Sequence, residues 1–370
     1  VAVVLGTRPE AVKMAPVILA LRRSSRLGCR IYSTGQHRGM LDQTFASLGI
    51  APDEDLDLMR PNQTLASLTS DAVLRLSECF TRRRPAMTLV QGDTTTAMCA
   101  ALASFYAGVR VGHVEAGLRT GDNSSPFPEE ANRRVISVLA DLHFAPTIGA
   151  RAHLLAENTP DDRILVTGNT GIDSVLHVLA RVERGEIVPP VVDARREGHR
   201  MVLITGHRRE SFGDGMRALC LAISDLSRQF PDVDFVYPVH LNPNVQAPVH
   251  ELLARSTHPN VLLSAPMDYV GFVAMMAQAS LIITDSGGVQ EEAPSLGKPV
   301  LVTRALTERP EGLVGGLVQL VGTNRDAITG AAAAVLTGNP PEASRVNPYG
   351  DGQAAGRIVA RLERELLPVG

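Results

Sequence analysis

Residues 281–294 read LIITDSGGVQEEAP. Leu281, Ile282, Ile283 and Thr284 form a short apolar, largely β-branched run, which predicts a buried strand. Ser286-Gly287-Gly288 follows, and glycine lets the backbone turn tightly and approach a ligand closely. A helix opening here would aim unpaired amide groups and the positive end of its dipole beyond the strand, a setting that favours an anion such as a phosphate. Glu292 stands four residues after Gly288 and shares its helix face, whereas Glu291 is rotated about 100° away. Glu292 rather than Glu291 is therefore the expected nucleoside contact, placed to accept hydrogen bonds from two ribose hydroxyls. The plainer alternative is a strand-to-helix turn carrying a solvated Glu pair.

Working outward, the same strand–turn–helix unit recurs along the chain. In the first half, strands are expected at Ala2–Thr7, Cys29–Thr34, Met87–Gln91, Val109–Val114, Leu142–Ala145 and Ile164–Thr167. In the second half they are expected at Met201–Thr205, Phe235–Val239, Val261–Leu263, Leu281–Thr284 and Val300–Val302. Helical spacing between them implies parallel βαβ units. Charge, glycine and Pro189-Pro190 break the pattern near residues 183–200. At 370 residues the chain exceeds what one core usually supports.

The expected fold is α/β, with two doubly wound Rossmann-like domains facing a central cleft. The first domain spans 1–170, with a C-terminal helix at 352–370 packing back on it; the second, 171–351, binds the nucleotide. Open α/β sheets place their chemistry at the carboxyl ends of the strands. Asp93 and Glu115 fall at such ends, and Glu129 opens a helix after the loop Gly121–Pro128. Helix capping is the structural alternative for an isolated acid of this kind.

A net charge of −3 gives no bulk electrostatic footprint for nucleic acid or a membrane surface, so any anion site must be local. No apolar run reaches the roughly 18 residues of a membrane span, and the N-terminus begins directly on a strand-like AVVLG, which predicts a cytoplasmic protein. Cys29, Cys79, Cys99 and Cys220 lack metal-ligand or disulfide spacing. Neither half carries G-x-G-x-x-G after its first strand, which argues against a dinucleotide cofactor, and H-E-x-x-H and P-loop signatures are missing too. Of 36 basic residues, only Lys13 and Lys298 are lysines. Lys13 lies about one helical turn beyond Arg8 and stands out, because a compact ammonium is not interchangeable with a guanidinium.

The motifs taken together resemble the non-hydrolysing bacterial UDP-N-acetylglucosamine 2-epimerases, on the two-domain fold shared with GT-B glycosyltransferases. The matching segments include GTRPE (Gly6–Glu10), GDTTT, HVEAGLRTGD, PEEANR, GHRRESFG, YPVHLNPN, DSGGVQEEAPSLGKPV, TERPE and NPYGDGQA, and so cover nearly the whole chain. The resemblance implies reversible epimerisation at carbon 2 of a UDP-sugar, through elimination of UDP, a 2-acetamidoglucal intermediate and re-addition. It implies neither metal nor nicotinamide. Asp93, Glu115, Glu129 and His207 would be catalytic. Arg8, Lys13, Ser286, Gly287, Gly288, Glu292 and Arg309 would bind the substrate, with uracil stacked on Phe272 or an aliphatic surface.

The family likeness further implies a homodimer and a second, activating UDP-N-acetylglucosamine held through Gln36, Arg208 and His240. Gly39 and Asn62 stand where relatives often have longer polar side chains, which predicts a weakened activator site. Gly315-Gly316-Leu317 replaces an Ala-Gly-Thr turn, which predicts a looser loop near the nucleotide. A hydrolysing epimerase releasing UDP and N-acetylmannosamine, and a GT-B-type glycosyltransferase, are the competing readings. Three acid–base carboxylates are more than sugar transfer needs.

Overall fold

The computed structural model describes residues 1–35, 38–60, 62–188, 196–253, 257–307, 309–338 and 347–367. They form two compact units: Val1–Ser174 together with the chain from Tyr349 onward, and Val175–Pro348.

The first unit runs β1 (Ala2–Leu5), α1 (Arg8–Arg23), β2 (Arg30–Ser33), α2 (Arg38–Leu48), β3 (Glu54–Asp55), α3 (Leu65–Arg83), β4 (Met87–Gln91), α4 (Thr95–Tyr106) and β5 (Arg110–Val114). It continues α5 (Glu129–Leu139), β6 (Leu142–Ala145), α6 (Ile148–Ala156), β7 (Ile164–Val166) and the start of α7 (Thr170–Glu183). The strands make one seven-stranded sheet, β3-β2-β1-β4-β5-β6-β7, parallel throughout. Strand order reverses between β1 and β4, so the helices that follow these two strands leave a crevice at their carboxyl ends.

The second unit holds β8 (Arg200–Thr205), α8 (Asp214–Gln229), β9 (Val233–Pro238), α9 (Pro243–Leu252), β10 (Val261–Ser264), α10 (Tyr269–Gln278) and β11 (Leu281–Thr284). It closes with α11 (Gly287–Glu292), β12 (Val300–Val302), β13 (Val318–Leu320) and α12 (Arg325–Thr337). Its six-stranded parallel sheet has the order β10-β9-β8-β11-β12-β13, with the switch point between β8 and β11. The run LIIT is thus a central strand: Leu281, Ile282 and Ile283 are fully buried, which is why they carry no polar alternation.

The last helix, α13 (Ala354–Leu366), packs on α1 within the first unit. The buried Asp173 carboxylate accepts from the amides of Ala354 (3.2 Å) and Ala355 (2.9 Å), pairing two groups that a helix start leaves without an internal partner. Two strands fall outside the sequence expectation. β3 is a two-residue edge strand in an acidic, proline-containing stretch with no apolar pattern. β13 is short and follows a glycine-rich turn.

Residues Pro310–Gly315 form a 3-10 turn, Gly316 alone of Gly315-Gly316-Leu317 takes a positive φ (+77°), and Leu317 is buried. The Leu317 carbonyl accepts from Val300 N at 2.7 Å, which ties it to the sheet edge. Asn62 sits at φ +59°, the left-handed region that asparagine tolerates better than arginine. No helix among the described residues is long and apolar enough to cross a membrane.

Candidate active site

In the first unit, three loop motifs meet at the β1/β4 switch point. Thr7 caps α1, and Glu10, three residues on, reaches back to complete a capping box. Glu10 is fully buried: its Oε2 accepts from the amides of Gly6 (2.9 Å) and Thr7 (2.7 Å), and its Oε1 accepts from Thr94 Oγ1 (2.6 Å). One carboxylate therefore ties the start of α1, which carries Arg8 and Lys13, to the residue after Asp93. Gly6 must be glycine here, since a Cβ would lie 2.3 Å from Thr96 Oγ1.

Lys13 Nζ donates to both carboxylate oxygens of Glu115, at 2.5 and 2.6 Å, and Gln91 Nε2 donates to Oε2 as well. Glu115 itself holds φ +65°, an uncommon backbone for a residue with a side chain and one that turns it away from the line of β5. The sequence points Lys13 at a departing diphosphate; in the fold its ammonium neutralises a candidate proton-transfer group.

Asp93 lies in the turn after β4. Its Oδ2 accepts from Arg133 Nε and stands 2.8 Å from Arg133 Nη2, and its backbone carbonyl accepts from Asn132 Nδ2 at 2.9 Å. Arg133 Nη1 is committed to the fully buried Glu130, at 2.9 Å, which also binds the amides of Thr120 and Gly121. Burial pushes the Asp93 carboxyl above its ordinary range; Arg133 pulls it back, Glu115 raises it further and Lys13 lowers it. In the fold each of the two acids meets its own cation, and desolvation is the dominant cause of the shift.

Glu129 is the first residue of α5, and its buried Oε2 has no hydrogen-bond partner among the described residues. A buried carboxylate oxygen left this way is costly unless a bound molecule supplies a donor. Arg119, four residues beyond Glu115, pairs with Glu157 at 2.6 Å.

In the second unit, the β8/β11 switch point assembles the other candidates. Asp285, buried at the end of β11, accepts on Oδ2 from the amides of both His207 and Arg208, each at 2.8 Å. Its Oδ1 lies 3.5 Å from His207 Nδ1, and the His207 ring stacks on His240 with centroids 5.4 Å apart. His207, Arg208 and His240 thus form one cluster. Gln36 lies outside the described residues.

The helix after Ser286-Gly287-Gly288 is short. α11 has six residues and passes into a 3-10 turn at Ala293–Leu296, because Pro294 cannot donate into a continuing helix. Positive charge at this turn comes from side chains: a Cβ on Gly287 would stand 3.4 Å from Arg309 Cζ and 3.6 Å from Arg208 Nη2. Arg309 Nε donates to buried Glu291 at 2.8 Å, and Thr307 Oγ1 donates to Gln290 at 2.6 Å, so the loop of residue 309 is anchored on α11. Glu291 is consumed by that ion pair. Glu292 lies on the Gly288 side, its Oε1 3.9 Å from a Cβ built there. Phe272 is half-buried on α10.

Two parallel, doubly wound units, with charged and polar side chains gathered at each switch point, define the GT-B-like class of nucleotide-sugar proteins. The family model for UDP-N-acetylglucosamine 2-epimerase matches residues 19–363. The chain is 49% identical over 367 residues to UDP-N-acetylglucosamine 2-epimerase of Yersinia pestis (97% of each chain), and 48% identical over 374 residues to that of Escherichia coli K12 (98% of each). Its structure is similar to that of the Neisseria meningitidis UDP-GlcNAc 2-epimerase bound to UDP-GlcNAc, with a TM-score of 0.88, 43% identity, and 98% of this chain and 99% of that one covered. The chain belongs to the UDP-N-acetylglucosamine 2-epimerase family.

Proposed function

We propose that this chain interconverts UDP-N-acetylglucosamine and UDP-N-acetylmannosamine by inverting carbon 2. Beyond family membership, the observation that carries the reading is the carboxylate set of the first unit: Asp93 and Glu115, each with a dedicated cation, and Glu129 with a buried oxygen unpartnered among the described residues. The carbon 2 proton lies beside no carbonyl, so its removal must be coupled to breaking of the anomeric C–O bond. One carboxylate takes the proton, UDP leaves with the bonding pair, and a 2-acetamidoglucal remains. A second carboxylate protonates the opposite face, and UDP adds back at the anomeric carbon.

His207 and Arg309 supply charge-assisted hydrogen bonds to the diphosphate as negative charge develops on it. Ser286, Gly287 and Gly288 give the diphosphate a close backbone approach, Glu292 binds the ribose and Phe272 the uracil. The buried Asp285 holds the His207 backbone through its amide and places its Oδ1 3.5 Å from the ring Nδ1.

The test is incubation with UDP-N-acetylglucosamine in deuterium oxide. The expected product is a second UDP-sugar carrying deuterium at carbon 2. Free UDP with N-acetylmannosamine would replace this reading by the hydrolysing one, and consumption only in the presence of an acceptor would replace it by glycosyl transfer.

Two assembly properties belong to the same reading. A homodimer is supported by exposed apolar side chains on three adjacent helices: Leu74 of α3, Phe105 and Tyr106 of α4, and Val138 of α5, which is 85% exposed. Light scattering is expected to give twice the chain mass for the native protein and the single mass for Tyr106→Glu/Val138→Glu; a native monomer overturns the dimer. Activation by a second UDP-N-acetylglucosamine at Arg208 and His240, with Gln36, is supported by the stacking of His207 on His240, which joins that site to the reaction. Pure UDP-N-acetylmannosamine is expected to turn over with a lag that added UDP-N-acetylglucosamine removes. Lag-free turnover would show that no activator is needed.

A further inference from the structure

Within β5, two residues before Glu115, stands His113, fully buried in the strand Arg110–Val114. Its Nε2 lies 2.7 Å from the carbonyl oxygen of Gly92, the residue that precedes Asp93. A carbonyl can only accept, so Nε2 carries the proton; burial holds the ring's pKa down to about 3, and the neutral Nε2–H tautomer is the form present. Nδ1 is then a bare acceptor, and it has no hydrogen-bond partner among the described residues. Leaving a buried acceptor unpaired costs stability, a cost that an apolar side chain of similar size would avoid. What distinguishes histidine here is the bond to Gly92.

That bond fixes a peptide plane with leverage on the site. Gly92 adopts φ +68°, and its amide donates to Val114 O at 3.0 Å, so the turn after β4 is pinned to β5 through both its N–H and its C=O. Downstream, the Asp93 carbonyl is held by Asn132 and the carboxylate by Arg133. Glu115 is carried by the same strand as His113. The ring therefore sets the spacing between the two carboxylates from beneath.

We propose that His113 is a positioning residue for the epimerisation: its Nε2–H bond to the Gly92 carbonyl holds Asp93 in register with Glu115 for proton transfer at carbon 2. The inference rests on the function proposed above. His113 touches no reacting atom and exchanges no proton. Misplacing a reacting group by a fraction of an ångström to an ångström costs rate far more than it costs binding of a remote nucleotide.

A control lies beside it. His143 of β6 is the register partner of His113, is equally buried, and has its pKa held down to about 4. It makes no bond to the Gly92 turn.

The experiment compares His113→Leu, His113→Asn, His113→Gln and His143→Leu by kcat, KM for UDP-N-acetylglucosamine, UDP affinity and melting temperature. Gln can place its amide nitrogen near the Nε2 position, whereas Asn reaches only to Nδ1. His113→Leu and His113→Asn are expected to lower kcat by about 10- to 100-fold with KM and UDP affinity near those of the native protein. His113→Gln is expected to recover most of the rate, and His143→Leu to change the melting temperature without changing kcat. If Leu does not fold, the Asn and Gln pair carries the comparison. Native kcat in His113→Asn, or no advantage of Gln over Asn in folded proteins, overturns the proposal; so does an equal loss in His143→Leu. A native protein that does not epimerise would instead overturn the function itself.

Discussion

Asp93→Asn and Glu115→Gln are each expected to cut turnover by about 10²–10⁴-fold while leaving UDP affinity within a few-fold of native. Asp93→Asn removes the charge and the proton-accepting capacity but keeps the side-chain shape. Arg133 retains Glu130, so the guanidinium is not stranded in a buried site when its partner becomes neutral. Glu115→Gln also takes from Lys13 Nζ the negative charge and one of the two oxygens it binds at 2.5 and 2.6 Å, leaving the amide carbonyl as the remaining acceptor. Steady-state kinetics with calorimetric titration of UDP checks both. Near-native kcat in either variant removes that residue from the reaction.

Gly117→Ala is expected to destabilise the first unit severely, although it adds only one methyl group. Gly117 lies at φ +90°, where side-chain-bearing residues are strained, and a Cβ there would stand 2.2 Å from the carbonyl oxygen and 2.8 Å from the carbonyl carbon of Ala150 in α6. That obstacle is backbone, which cannot rotate away. Overpacking of an ordinary core costs about 1–3 kcal/mol, and the adverse backbone region adds about 1–2 kcal/mol. Gly117 is two residues from Glu115, so relief of the clash by moving the turn displaces the carboxylate. Calorimetry is expected to show an earlier transition for the variant, with turnover lost in parallel. A native melting curve would mean that α6 yields at no cost.

Much of the architecture was legible in the sequence because parallel strands buried on both faces read as short apolar runs, and each ends where polar residues begin. The run LIIT was legible for that reason, and so were Asp93 and Glu115 as strand-end acids. β3 was not, since a two-residue edge strand needs no apolar pattern. The shortness of α11 is written in Pro294, which cannot donate into a continuing helix.

By itself the sequence determined the alternation of strands and helices, the family, and which carboxylates stand at strand ends, because these depend on local order and on residue type. It did not determine which charge meets which. Lys13 and Glu115 are 102 residues apart, Arg133 and Asp93 are 40 apart, and Asp285 reaches the His207 amide across 78. Such pairings are created when the strands take the orders β1-β4-β5 and β8-β11, which bring distant loops to one switch point. His113 shows the same limit. In RVGHV it reads as one more strand residue, and only the parallel register of β4 with β5 puts its Nε2 beneath the carbonyl that precedes Asp93.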